Sequence, residues 1–540
     1  MAEKLWFIIP EMMLFVGAVV VAVMGLSPSR RMRDALPLTT VIFLAAACIV
    51  TPFLYANEAR VASADLLMPM LGQYVKMVVC IIGIVLTMTT VGLIDRRLEA
   101  DIEAGRVAFD PIRVSRGEFY AFFLLSLIGV MLCCNANDLA WLFLALELTS
   151  LPTYIMVAVS RPSPKAQEAA VKYFFLGAMA AAMFLYGFAL LYGATGTIVL
   201  TEMRDVFLAQ KLADEGGSIN LIGTIGLILA VLGVCFKIAA APMHFYAADV
   251  YEGAASPVTA FLGFVPKAAG MIALILLLST VGWGDLEAGI PGLPQPVLTV
   301  LWMVAVLTMT LGNIGALLQK SVKRMLAYSS IAHSGYMLIG IIAGPGLGVN
   351  AVLFYLFVYG LMNTGAFAVL AGLERQGQEI ESVEDLAGLR LRHGWMATAM
   401  AFTAASLLGF PPLLGFIGKL YLFVAGVEAG QIALVVIAGI NSAISAWYYL
   451  QLVGLPILKG PSARSETVAK TPTPWPRIAA VVTAAAVVLL PIVAAPLLDT
   501  TRDLTRYDTE LAPPADDVID VADDADETTD DAVASNASSE

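Results

Sequence analysis

Fourteen long apolar runs, separated by polar or Gly/Pro-rich stretches, limit this chain to one kind of fold. They span 5–26, 36–55, 70–94, 118–134, 138–159, 169–192, 219–240, 255–280, 296–318, 324–343, 347–372, 396–426, 431–456 and 476–498. About twenty apolar residues in a helix cross the hydrocarbon core of a bilayer. Lipid offers no partners to backbone polar groups, so each crossing has to satisfy its own. The expected fold is therefore an all-α polytopic membrane protein of about fourteen transmembrane helices. Composition agrees: 59% of the residues are apolar, 14% are charged, and the mean hydropathy is +0.83. Those values exclude a soluble enzyme, a disordered scaffold and a nucleic-acid binder. The first run is too long for a cleaved leader and is interrupted by Glu11, so it reads as a retained span.

Charge is placed unevenly. Residues 499–540 hold fourteen acids and only two bases, Arg502 and Arg506, and account for the whole net charge of −12. This segment lacks the large apolar groups a core needs and reads as a disordered acidic tail. Among the loops, the odd-numbered ones carry twenty basic residues. The even-numbered loops and both termini carry six. The positive-inside bias puts the odd loops in the cytoplasm and both termini outside it. The five cysteines show no CxxC pair and no Cys/His ligand spacing, and no P-loop is present. Metal, iron–sulfur, nucleotide and flavin sites therefore have no support in this chain.

A charge in lipid is costly and usually faces protein or water. Glu147 lies nine residues into the fifth run, a mid-membrane depth at about 1.5 Å per residue. Lys237, Lys267 and Lys419 sit in apolar sequence without basic neighbours, and His333 lies within the tenth run. Lys76 and Lys172 stand nearer the ends of their runs, where a lysine can also snorkel to the interface. Glu11, near the start of its run, is compatible with either packing or function.

Prolines mark two breaks. Lys237 precedes Pro242 by five residues in FKIAAAPMHFY, and Lys419 follows Pro412 by seven in GFPPLLGFIGKLY. Broken helices are tolerated where they line a wet cavity, as in transporters. Two lysine-bearing breaks, five spans apart, suggest two related five-span units. Lysine suits proton relay better than arginine, because burial disfavours its charged form and a nearby carboxylate favours it. Glu147, Lys237, Lys267, His333 and Lys419 then read as a lateral proton path.

Five strings carry a resemblance to a known family: residues 117–158 (GEFYAFF…TYIMVA), EAAVKYFFLGA at 168–178, FKIAAAPMHFYAADVYEGAASPVTAFLGFVPKAAG at 236–270, KRMLAYSSIAHSGYMLIG at 323–340 and LGFPPLLGFIGKLYLF at 408–423. They resemble the subunit N family of proton-pumping NADH–quinone oxidoreductase, respiratory complex I. The likeness is strong over about 118–450. DVYEGA favours subunit N over the sister subunits L and M. Tyr246 and Ala248 depart from the tryptophan and proline usual in that loop, and the acidic tail is not part of the pattern.

The resemblance implies two inverted five-helix antiporter-like repeats, at 118–280 and 281–457. They are preceded by three N-terminal helices and a loop (1–117) and followed by a C-terminal helix (458–498) and the tail (499–540). It implies that Glu147 and Lys237 belong to the first half-channel, that Lys267 connects the halves, and that Lys419 ends the second. Lys172, in the KYF motif, is implied on the same polar axis. Quinone reduction, with NAD(H), FMN and iron–sulfur clusters, is expected in partner subunits, with no cofactor in this chain. Expected partners are an M-type antiporter-like neighbour, small membrane subunits, the lipid bilayer and protons. A stand-alone or Mrp-type cation/proton antiporter, and a purely structural membrane subunit, are the competing readings.

Overall fold

The computed structural model describes residues 6–494 apart from 57–65, 69, 93, 112, 215–216 and 285–291. The tail and its expected location lie outside the described residues. Each apolar run becomes a helix, or a helix with a break. The first five are α1 (Ile9–Gly25), α2 (Leu36–Leu54), α3 (Leu71–Thr90), α4 (Arg116–Cys134) and α5 (Leu139–Val159). The long α6 (Pro164–Thr195) precedes α7 (Leu221–Lys237), whose run resumes after a break as α8 (Ala247–Gly253). Then come α9 (Ser256–Ser279), α10 (Gln295–Leu317), α11 (Val322–Ala343) and α12 (Leu347–Ala371). The next run is split into α13 (Gly394–Leu408) and α14 (Leu414–Glu428), and α15 (Ile432–Ile457) and α16 (Trp475–Leu489) close the bundle. Eleven of the described helices are long and apolar enough to cross a membrane, and α1, α7 and α13 are shorter apolar helices.

The helix starts follow local chemistry. Asp138 and Asn220 accept from the backbone N–H groups of Trp141 and Gly223, each at 2.7 Å, capping α5 and α7. Pro164, Pro257, Pro296 and Pro476 stand at the first or second helical position, where a missing N–H costs nothing. Both breaks fall where proline pairs the sequence with an irregular backbone. After Lys237 the chain leaves the helix until Tyr246, and after Leu408 until Leu413.

Burial sorts the helices into an inside and a rim. The apolar window of α9 is wholly buried, and α11 and α12 are 94% buried. The windows of α2, α6 and α15 are only 33% buried, and they present Phe53, Phe175, Ile440 and Trp447 outward. An all-round apolar helix belongs in the centre of such a bundle, and the exposed apolar side chains belong against lipid. Small residues set the close crossings. A Cβ on Gly187 of α6 would fall 2.5 Å from the Ala230 nitrogen of α7, so only glycine permits that approach.

The connecting segments fall into two groups, as alternating crossings require. On one side, β1 (Leu373–Arg375) pairs antiparallel with β2 (Gln378–Glu379) and with β3 (Val468–Lys470), in the order β2-β1-β3. This small sheet joins the eleventh and thirteenth loops, an addition to the all-helical expectation. Arg96 of the third loop reaches Glu374 at 2.7 Å, and Arg161 of the fifth donates to the Gly253 carbonyl at 2.8 Å. On the other side, the Lys211 ammonium donates to the Val281 carbonyl at 3.1 Å, and the Trp283 indole to that of Ile341 at 2.8 Å. Lys211 extends from a helix, Leu200–Ala213, that no apolar run announced.

Candidate functional site

Glu147 and Lys237 meet. The Lys237 Nζ lies 3.0 Å from Glu147 Oε1 and donates to Ser150 Oγ at 2.5 Å. Ser150 stands three residues after Glu147, on the same face of α5. The lysine side chain is 2% exposed and the glutamate 17%. Lys237 is the last residue of α7, so the break in that helix begins where its charge is held. Pro152, one turn past Glu147, has no N–H to give the carbonyl four residues back.

The broken segment satisfies its backbone from neighbouring side chains. Tyr246 Oη donates to the Phe236 carbonyl at 2.8 Å, Ser334 Oγ to that of Ile238 at 2.5 Å, and the Ala241 N–H to Thr308 Oγ1 at 2.9 Å. The two departures in this loop are buried. Tyr246 stacks on Phe236 with 4.2 Å between ring centres and on Tyr173 with 5.1 Å, and Ala248 packs inside α8. A tyrosine here supplies both a stacking face and a donor for a freed carbonyl.

Lys267 occupies the buried centre of α9. Its ammonium donates to the Ser330 carbonyl of α11 and sits 5.2 Å from the centre of the Tyr359 ring. Ser330 Oγ also accepts from Tyr359 Oη at 2.8 Å. Three residues along α11, the His333 ring lies between two phenols: Nδ1 is 2.7 Å from Tyr355 Oη and Nε2 is 2.7 Å from Tyr449 Oη. Tyr449 is in turn bonded to Ser329. Lys419 on α14 donates to the Leu408 carbonyl across the second break at 2.8 Å and to Ser442 Oγ at 3.3 Å. Its ammonium is 5.0 Å from the Tyr336 ring centre, and Tyr336 follows His333 on α11. Neither Lys267 nor Lys419 has a carboxylate partner among the described residues.

Helix α11 thus gathers the central groups, while serines and tyrosines fill the gaps between the charged residues. Sequence reading did not single out Ser150, Ser329, Ser330, Tyr355, Tyr359 or Tyr449. One available signal was helical spacing, since Tyr355 and Tyr359 are four residues apart on one face.

The structure also places three further lysines. Lys172 was expected on the polar axis. Instead it is 43% exposed and pairs with Glu168 at 2.7 Å and Asp249 at 2.9 Å. It sits in the charged surface where Asp249 also holds Arg324 at 2.7 Å. Lys172 stands on the outward face of α6, whose Ala169, Ala170 and Tyr173 are buried, so its ammonium reaches Asp249 of α8 at the surface. Lys76, which could have snorkelled, does the reverse. It is fully buried, 2.9 Å from Glu11 Oε1, and donates to the Phe7 carbonyl. Lys323, assigned to a loop, is buried in the first turn of α11. It donates to the Ala254 carbonyl at 2.9 Å and pairs with Glu379.

Known proteins resemble this chain in sequence and in fold. The family model described as NADH:quinone oxidoreductase/Mrp antiporter, TM, matches residues 136–445. A NADH-quinone oxidoreductase subunit N from Methylobacterium nodulans is 35% identical over 497 residues, covering 91% of this chain and 95% of the relative. This chain belongs to the subunit N family of NADH-quinone oxidoreductase. Another subunit N, from Trichlorobacter lovleyi, is 44% identical over 345 residues, covering 63% of this chain and 67% of that one. A chain of respiratory complex I from Thermus thermophilus, solved with bound aureothin, superposes with a TM-score of 0.70 at 30% identity. The match covers 91% of this chain and 99% of that chain. Family membership and the apolar helices together make this an antiporter-like, multi-pass membrane subunit.

Proposed function

We propose that this chain is a proton-translocating membrane-arm subunit of a NADH–quinone oxidoreductase, coupling quinone reduction elsewhere in the complex to proton transport through a Glu/Lys/His relay. The observation that carries this reading is the ion pair of Glu147 and Lys237 at the end of a broken helix. A carboxylate beside a buried ammonium stabilises the charged lysine. If the carboxylate swings away or takes up a proton, the ammonium is left where charge is costly, and a proton is driven onward. Ser150, Ser330 and the phenols around His333 supply hydroxyls that donate and accept, as stepping stones need. Lys267 is the connecting group and Lys419, at the second break, the terminal one. The two breaks support reading 118–280 and 281–457 as related five-helix repeats.

The redox chemistry, with its NAD(H), FMN, iron–sulfur clusters and quinone, belongs on this reading to partner subunits. An M-type antiporter-like neighbour and small membrane subunits would flank the chain in a bacterial inner membrane. The excess of basic residues in the odd loops supports a cytoplasmic location for that side, with both termini periplasmic. The test is proton pumping and quinone reduction in membranes carrying Glu147→Gln, with assembly followed by native gel. An assembled complex that has lost coupled pumping is the expected result. Full pumping in it would exclude the relay at this pair. A periplasm-active reporter fused after Glu540 tests the orientation.

A further inference from the structure

The side of the bundle that carries the small sheet also carries a cavity of about 510 Å³, between the starts of α13 and α16. Arg392, Lys470 and Arg477 line it. Several cations elsewhere on this side meet carboxylates: Arg96 lies 2.7 Å from Glu374, Arg464 2.9 Å from Asp385, and Arg324 2.7 Å from Asp249. The cavity cations are different. Among the described residues none of the three has a carboxylate partner, and no Asp or Glu lines the cavity. Arg392 spends one N–H on the backbone carbonyl of Glu466, and its remaining donors are free of acids. Below this cationic rim the wall is apolar, made by Ile478, Val481 and Val482 in the first two turns of α16. Trp395, on the same cavity, is 77% exposed, and Trp475, just beyond its wall, is 47% exposed.

Three like charges held together at a membrane surface repel one another and attract an anion. Guanidinium groups fit phosphate oxygens in pairs, which makes phosphate the fitting headgroup chemistry. Tryptophan prefers the depth of lipid headgroups, so the two indoles place this rim at the bilayer interface. The apolar wall continues from the rim along a membrane helix, where acyl chains run. A free anion would use the rim and leave that wall unused.

From this geometry we infer that the cavity is a binding site for one anionic phospholipid, its phosphate among Arg392, Lys470 and Arg477 and its chains along Ile478 and Val482. Nothing in this inference depends on the proton relay.

The test uses the whole complex in its native membranes, supplied with photoactivatable phosphatidylglycerol or photoactivatable phosphatidylcholine. Crosslinks are mapped by mass spectrometry to the segments 392–396 and 475–482. Phosphatidylglycerol should label both segments strongly over phosphatidylcholine. Arg477→Gln should weaken that labelling about fivefold, and the combined R392Q, K470Q and R477Q change about a hundredfold. Arg477→Lys, which keeps the charge but loses the paired fit, should keep more of it than Arg477→Gln and less than the unaltered protein. Unlabelled phosphatidylglycerol should compete, whereas millimolar inorganic phosphate should not. Equal labelling by the two lipids, no labelling of either segment, or unchanged labelling of an assembled triple variant would overturn the inference. Equal competition by inorganic phosphate would also overturn it and mark a site for a soluble anion. The comparison of two lipids on the unaltered protein holds even if the triple variant fails to assemble.

Discussion

The Lys76 ammonium lies 2.9 Å from the Glu11 carboxylate, with Lys76 fully buried and Glu11 2% exposed. The pair ties α1 to α3 inside the N-terminal helices. Asn135, at the end of α4, stands 3.4 Å from the same carboxylate oxygen. Removing one partner leaves an uncompensated buried charge, which costs about 3–5 kcal/mol. Lys76→Met alone should therefore lower the temperature at which the complex dissociates. The double change Glu11→Leu with Lys76→Met, which removes both charges, should recover most of that loss. Heating series on native gels measure both. A double variant as fragile as the single one would rule out charge pairing as the source of the effect.

Lys237→Arg tests proton release directly. Arginine can keep the contact with Glu147 but holds its proton at any working pH. Assembly should survive, while pumping and coupled quinone reduction should fall by about a hundredfold, the scale of a lost proton-transfer group. Glu147→Asp keeps the charge and should be milder than Glu147→Gln. Wild-type turnover in an assembled Lys237→Arg complex would mean that this lysine never deprotonates.

Lys172 should behave as a surface charge. An exposed ion pair contributes about 1 kcal/mol or less. Lys172→Gln should leave pumping near the wild-type rate and assembly intact, in contrast to Lys267→Gln and Lys419→Gln. A Lys172 variant as inactive as those at Lys267 or Lys419 would return it to the proton path.

Glu379 links acidity to stability. Burial alone would raise its carboxyl, but Lys323, Arg161 and the Ser256 N–H at 2.9 Å together hold it below the usual carboxylate range. A lowered folded value means that its stabilisation is fully present above about pH 4.3, the ordinary glutamate value. It is lost as pH falls through the lower folded value. The wild-type complex should lose thermal resistance on acidification into that window. Glu379→Gln should start lower at neutral pH, with the gap narrowing as the pH falls. A gap that stays constant with pH would show that the carboxylate charge is not what stabilises this junction.

The acidic segment should be dispensable. Truncation after residue 500 removes thirteen acids, two bases and few large apolar groups. Such a segment has little to bury against the helices. Assembly and pumping should persist, and loss of the assembled complex on a native gel would point to a docking role.

The number and positions of the membrane helices were legible in the chain. Lipid makes each crossing satisfy its own backbone, so each long apolar run had to become a helix. The two breaks were legible for a related reason, since proline cannot continue the backbone ladder. Residue type and depth also marked Glu147, Lys237, Lys267, His333 and Lys419 as costly in lipid. Who meets whom was not legible. Glu147 and Lys237 are ninety residues apart, and their helices both pack on α6, which meets α7 closely at Gly187. Lys76 and Lys172 looked alike as lysines near the ends of apolar runs. Packing buried one against Glu11 and left the other at the surface with Glu168 and Asp249. The hydroxyls around His333 gave little sign of themselves, because serine and tyrosine in a helix carry no charge that makes their burial conspicuous. Local chemistry along the chain decided the helices and their breaks. Partners, and which lysines are inside, came from which helix faces pack together, because ion pairs and hydrogen bonds act over a few ångströms in space whatever the distance along the chain.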